Sequence, residues 1–238
     1  LLEDAFDAVT ISAGTFFGGI TFSIRTILDL LETVLVGTPW PVVMVLIVLL
    51  SWYLAGARVA IFTVAALAYL ALFGFWEKSM LTVALLGTAS FISISLGIPI
   101  GVWCARNNTV YSIVRPVLDF MQTMPAFVYL IPVIALFGIG KPPGIIASLM
   151  FGIPPVIRLT ALGLRGVPHS VREAGTAFGA SETYLLFKID FPLAMPSIMT
   201  GVNQAILMCL GMVVIASLIG AKGLADAVRY RRLDPVGH

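Results

Sequence analysis

Polar groups set into an otherwise apolar chain mark where this sequence could do chemistry. Gln122 and Thr123 stand one helical turn beyond Asp119, and Pro125 and Pro132 interrupt the same apolar stretch. Backbone freed by proline is tolerated inside a membrane only where protein or water covers it. That stretch is therefore a candidate lining for a translocation path, and Phe127, Tyr129 and Phe137 are the aromatic residues within it. Asn203 and Gln204 lie within another apolar run, with Thr200 one turn before Asn203, and suit either solute contact or interhelical hydrogen bonding. Arg115 and Asp119 are spaced for an i,i+4 ion pair at a helix end.

Other chemistries lack their parts. Cys104 and Cys209 belong to no C-x-x-C or Cys/His cluster and read as small packed residues. His169 is a single loop histidine with no second ligand or base beside it, a solvated or capping group. Gly138-Ile139-Gly140-Lys141 is followed by Pro142 and has neither the spacing nor the Ser/Thr of a P-loop. The residues offer no catalytic triad, paired carboxylates or metal set, and no nucleotide site.

The elements that must hold these groups follow from composition. Of 238 residues, 59% are hydrophobic and 11% charged, whereas a soluble domain carries about 25% charged residues. Too few charges remain to cover a water-facing surface, and a net charge of +2 does not suggest nucleic acid. The chain reads as a membrane protein. Charge-free runs occupy 33–57, 59–76, 79–105, 120–140, 142–157 and 191–221. A helix needs about 20 apolar residues to cross the hydrocarbon core. The 16-residue run at 142–157 reaches that length if Arg158 snorkels and the helix continues over 159–164. Six spans are expected. The runs lack the alternation of barrel strands, so the fold class is an all-α, polytopic membrane bundle.

Arg58, Arg106, Arg115, Arg165, Arg172 and Lys188 follow the first, third and fifth spans, against Lys78 and Lys141 on the other side. The positive-inside rule puts the 165–192 loop in the cytoplasm. The basic tail (Lys222, Arg229, Arg231, Arg232) would then lie outside, and the expectation is a chain cut before a further span. Leu1 in place of a methionine points to a missing start as well. Ahead of the first span, Ile20, Ile24, Ile27, Leu28, Leu31, Val34 and Leu35 recur at helical spacing, as in an interfacial amphipathic helix or one packed on neighbouring helices. The expected domains are an N-terminal segment 1–38, a transmembrane domain 39–221, and a polar tail 222–238.

The loop from Gly166 to Pro192 is long for a bundle connector. Ser170 and Glu173 have capping-box spacing, so the hydroxyl would cap a short helix running to about Phe178. Gly179 can end that helix in the left-handed conformation. Ser181 can cap a second short helix through Lys188, and Pro192 marks the entry to the last span.

Glu173-Ala174-Gly175, then Gly179, Ile189 and Pro192, resemble the "EAA" signature of permease subunits of ATP-binding-cassette importers, with Gly175 in place of the second alanine. The run from Asp119 to Gly140, with Pro154-Pro155-Val156-Ile157-Arg158, Pro192 through Gln204 and Met212 through Ser217, is similar to permeases of glycine betaine/proline-type importers. The resemblance covers about residues 15–226. It implies a type I importer permease fold in a bacterial inner membrane. It also implies a coupling loop of Ser170, Glu173, Ala174, Gly175, Gly179, Ile189 and Pro192 that docks on a separate ATP-binding subunit. ATP and Mg would bind on that partner, with no cofactor on this chain. The further partners implied are a solute-binding protein, a second permease copy and the lipid bilayer. The solute would be glycine betaine or a relative such as proline betaine, choline or carnitine. An importer for another small solute is the alternative. So is a secondary transporter, which would need coupling-ion ligands that the spans lack.

Overall fold

The computed structural model describes the backbone of residues 2–137 and 140–219, and the side chains of residues 18–125, 128, 129, 131–134, 137 and 140–215. Every regular element among them is helical, as the charge-free runs demand of a chain surrounded by lipid. The chain divides into two compact units, Leu1–Thr88 and Ala89–His238.

In the first unit, α1 (Leu2–Leu35) buries Ile24 and Leu28 and leaves Phe22, Leu30 and Val34 exposed. Of the two alternatives for its apolar stripe, Ile24 and Leu28 follow the packed one. After a turn, Pro39 and Pro41 open α2 (Trp40–Ala55), where a missing N–H breaks no helical bond. The segment 18–35 and α2 are bent by 100° at that turn. Gly56, at φ +86°, joins α2 directly to α3 (Ala57–Leu72). Val43, Leu67 and Met80 form the shared core, and Trp40 meets Trp76 edge-on with centroids 6.3 Å apart. Leu49, Leu50, Tyr53, Phe62 and Leu72 point outward, faces that suit lipid rather than water.

The long helix α4 (Trp76–Arg106) continues into the second unit. There follow α5 (Asn108–Thr123), α6 (Ala126–Phe137), α7 (Lys141–Arg165), α8 (His169–Ala177), α9 (Glu182–Leu185), a π-helical turn (Leu186–Asp190) and α10 (Phe191–Ile219). Asn107 caps α5 by accepting from the amides of Thr109 and Val110. Met124 ends it in an extended conformation, as a residue before proline should. α7 is the centre of this unit. Cys104, Leu118, Ile157 and Ala161 pack α4, α5 and α7 together, while Ala147 and Met212 join α7 to α10. Both cysteines are free and fully buried, in keeping with their reading as packing residues. Small residues set the separation. A Cβ on Gly101 of α4 would sit 2.6 Å from Thr160 Cβ, and one on Gly152 of α7 would sit 2.5 Å from Cys209 Sγ. Association in lipid relies on such close approach because burial of apolar surface supplies no drive there.

Among the described residues, three helical stretches, 76–106, 141–165 and 182–215, are long and apolar enough to cross a membrane, and the bent pair of 18–35 with α2 makes a fourth if it is one broken span. By helix length alone this is fewer than the six charge-free runs. At 1.5 Å per residue, 16-residue helices such as α2 and α3 reach only about 24 Å, against about 30 Å of hydrocarbon. Charge-free length does not reveal the turn at Pro39 or the break at Pro125 that leaves α6 with 12 residues. The fifth run does continue past Arg158 to Arg165 as expected. The Arg158 guanidinium, however, turns to Asp119 of α5 in an ion pair instead of snorkelling outward. The expected polar tail and chain break lie at 222–238, outside the described residues.

Candidate functional site

The segment after α7 folds as a bracket of two unequal arms. α8 begins directly after its N-cap Pro168, which has an extended ψ of 132°, so Ser170 falls inside the first turn and makes no cap bond. The expected capping box is therefore absent. Glu173 instead turns to His169, with Oε1 3.1 Å from Nδ1 and both side chains largely exposed. His169 thus has a carboxylate neighbour that the loop reading missed, because the loop there is a helix and the two residues are one turn apart.

The end of α8 follows the sequence closely. Gly179 has φ +82°. Its amide donates to the Thr176 carbonyl at 2.9 Å, and the Ala180 amide to the Gly175 carbonyl at 3.0 Å. This pair of bonds is the Schellman closure. Ser181 caps α9 by accepting from the Tyr184 amide at 3.3 Å. The second arm does not stop at Lys188. It widens into the π-helical turn over Leu186–Asp190 and runs unbroken into α10. Pro192 explains the widening, since it has no N–H for the Lys188 carbonyl and its ring would strike that carbonyl in a regular turn.

The two arms touch through Gly175. A Cβ there would lie 2.6 Å from Leu185 Cδ2 and 2.9 Å from Ile189 Cδ1. The glycine that departs from the signature lets α8 lie closer to the second arm than alanine would without those side-chain ends moving. Ile189 is half-buried at that contact, while Glu173, Ala174 and Pro192 are exposed. None of the residues of α8 is buried. Phe178, Tyr184 and Phe187 add exposed aromatic surface around the bend.

Charge completes the attachment. Arg172 Nη2 lies 3.7 Å from Glu182 Oε2, and Arg172 Nε lies 3.4 Å from Asp190 Oδ1. Arg106, the last residue of α4, reaches the same Glu182 oxygen at 3.4 Å. Asp190 is buried, and with Arg106, Arg172, Glu182, Ala105, Leu164 and Leu186 it lines a cavity of about 320 Å³. Sequence reasoning missed Arg172, Glu182 and Asp190 as a group. A charged residue immediately before the apolar Phe191–Ile219 was the available signal.

The candidate path residues are spread out. Gln122 is half-buried and Thr123 exposed in the last turn of α5, where the Thr123 hydroxyl donates to the Phe120 carbonyl at 3.1 Å. Pro125 stands in the break between α5 and α6. The Tyr129 hydroxyl donates to the Phe120 and Met121 carbonyls, each at 3.2 Å, and its ring packs edge-on against Phe151. Tyr129 therefore closes the break that Pro125 opens, with its ring buried. Asn203 and Gln204 are exposed on α10, with Thr200 bonded to the Pro196 carbonyl. The Phe127 side chain lies outside the described residues. Arg115 and Asp119 approach to 4.0 Å, as their spacing predicts. Among the described residues no cluster of His, Cys, Asp or Glu could hold a metal.

Comparison with known proteins places this architecture. Residues 97–233 match the family model described as "Binding-protein-dependent transport system inner membrane component". The chain is 44% identical to the glycine betaine/proline betaine transport system permease protein ProW of Escherichia coli, over 89% of this chain and 60% of that protein. It thus spans less than two thirds of that relative's length. It is 40% identical to the glycine betaine transport system permease protein OpuAB of Bacillus subtilis, over 96% of this chain and 81% of that protein. Among solved structures, an inward-facing conformation of the MetNI methionine ABC transporter matches with a TM-score of 0.52 at 21% identity, covering 61% of this chain and 74% of that one. That likeness bears on the fold alone.

Proposed function

The chain belongs to the family of binding-protein-dependent transport system inner membrane components, and from that premise we propose that it is the permease subunit of an ATP-driven importer for glycine betaine or a related compatible solute. Relatives named for glycine betaine and proline betaine support the solute class. The observation that carries the mechanism is α8, a closed helix with no buried side chain that presents Glu173, Ala174 and the bend at Gly179 outward. A helix so built can be moved as a body by a partner docked on it.

In this reading ATP and Mg bind a separate ATPase subunit. A solute-binding protein delivers cargo from the other side, and two permease copies enclose the path. Nucleotide drives the switch only in so far as it binds one bundle state better than the other. Gln122, Thr123, Pro125, Phe127, Tyr129 and Asn203 remain the candidate path residues. Ser170, Glu173, Ala174, Gly175, Gly179, Ile189 and Pro192 form the coupling loop.

The test is affinity capture of the tagged protein from native membranes in mild detergent. The wild type is expected to bring down an ATP-binding subunit, and Glu173→Lys to lose it while still inserting. Recovery of this chain alone, with uptake that persists without ATP, would overturn the reading in favour of a secondary transporter.

A further inference from the structure

Besides the apolar contact at Gly175, α8 is held by polar contacts that converge on one residue outside the signature. Arg172 faces two carboxylates at once, Glu182 and the buried Asp190. Its planar fork can serve both, which a lysine ammonium cannot do equally well. Asp190 Oδ1 accepts no hydrogen bond among the described residues, so the Arg172 guanidinium at 3.4 Å is the charge that compensates its burial. Glu182 in turn is shared with Arg106 at the end of α4. The cavity of about 320 Å³ at this junction gives the guanidinium room to redistribute between its two partners, and is large enough for water to complete their shells.

We propose that Arg172 is a positioning residue that transmits displacement of α8 to α10 through Asp190 and to α4 through Glu182 and Arg106. The inference rests on the permease reading above, since it takes the displacing force from an ATPase subunit docked on α8. Apolar packing would fix α8 in a single seat. A charged hub with free space around it keeps α8 attached while allowing it two seats, which a driven switch requires.

The experiment uses the complete transporter, purified with its ATPase subunit and reconstituted in proteoliposomes, and reads solute uptake per ATP hydrolysed. Arg172→Gln leaves Asp190 buried and uncompensated. It is expected to retain the ATPase subunit but to lower uptake per ATP at least about fivefold. Arg172→Gln combined with Asp190→Asn removes both charges and is expected to return the ratio to within about twofold of wild type. Wild-type coupling in Arg172→Gln, or equal loss in the single and double variants, would overturn the proposal. If Arg172→Gln does not accumulate in the membrane, Glu182→Gln supplies the second arm. There a two- to threefold fall is expected, roughly what a coupling network yields, and an unchanged ratio would overturn the link to α4. A wild-type complex without any ATPase subunit would instead sink the permease reading itself.

Discussion

α7 and α8 are separated by three residues of chain and are opposites in construction. α7 buries Ile145, Ala147, Ser148, Gly152, Val156, Ile157, Thr160 and Ala161 among others, and small residues bring its neighbours close. α8 buries nothing and is held by one glycine contact and one arginine. The difference separates two jobs. A span that must keep its place in lipid is fixed by shape. On the permease reading proposed above, the helix offered to a partner is fixed by groups that can exchange partners.

The largest effect should come from disturbing α7. Gly152→Leu places atoms where Cys209 Sγ and Ser93 Oγ already stand, 2.5 and 2.6 Å from a Cβ. A cost of about 3 kcal/mol is expected, enough for loss of folded protein, measured by fluorescence-detected size exclusion after heating in detergent. Caps in the bracket come next. Ser181→Ala should cost about 1 kcal/mol through loss of the bond from the Tyr184 amide, whereas Ser170→Ala should be neutral because that hydroxyl caps nothing. Thermal melts of the two variants side by side would reverse this assignment if Ser170→Ala were the more damaging. Tyr129→Phe lies at the weak end. It removes a hydroxyl that serves two carbonyls at the α5–α6 break, with a loss of about 1 kcal/mol or less and a melting temperature lower by a few degrees. A larger fall in uptake than in stability would give Tyr129 a role in the path as well.

The parts of this molecule legible in sequence are those set by local physics. The long uncharged stretches that became α4, α7 and α10 announce themselves, as do the left-handed Gly179 and the Ser181 cap. Ser170 misled because Pro168 supplied an equally good helix start two residues earlier, and a capping pattern carries no information about which start wins. The hub around Arg172 was hidden for another reason. Arg172, Glu182 and Asp190 come together only when the chain turns at Gly179 and α8 lies back along the second arm, and the Arg158–Asp119 pair likewise needs α7 packed on α5. Gly175 reads in sequence as a weakened helix position, yet in the fold a side chain there would run into Leu185 and Ile189 of the second arm.

The π-helical turn over Leu186–Asp190 has a bearing on phase. A regular helix advances about 100° per residue, and a turn that holds one residue more than usual offsets everything before it against everything after it by about that angle. Leu185, Leu186 and Asp190 face inward with that offset included. Deleting one residue there would keep composition, hydropathy and helix intact and still rotate the arm that meets α8 away from Gly175 and Arg172. The number of residues between Ser181 and Pro192 is thus itself a structural parameter, as binding as the identity of any of them.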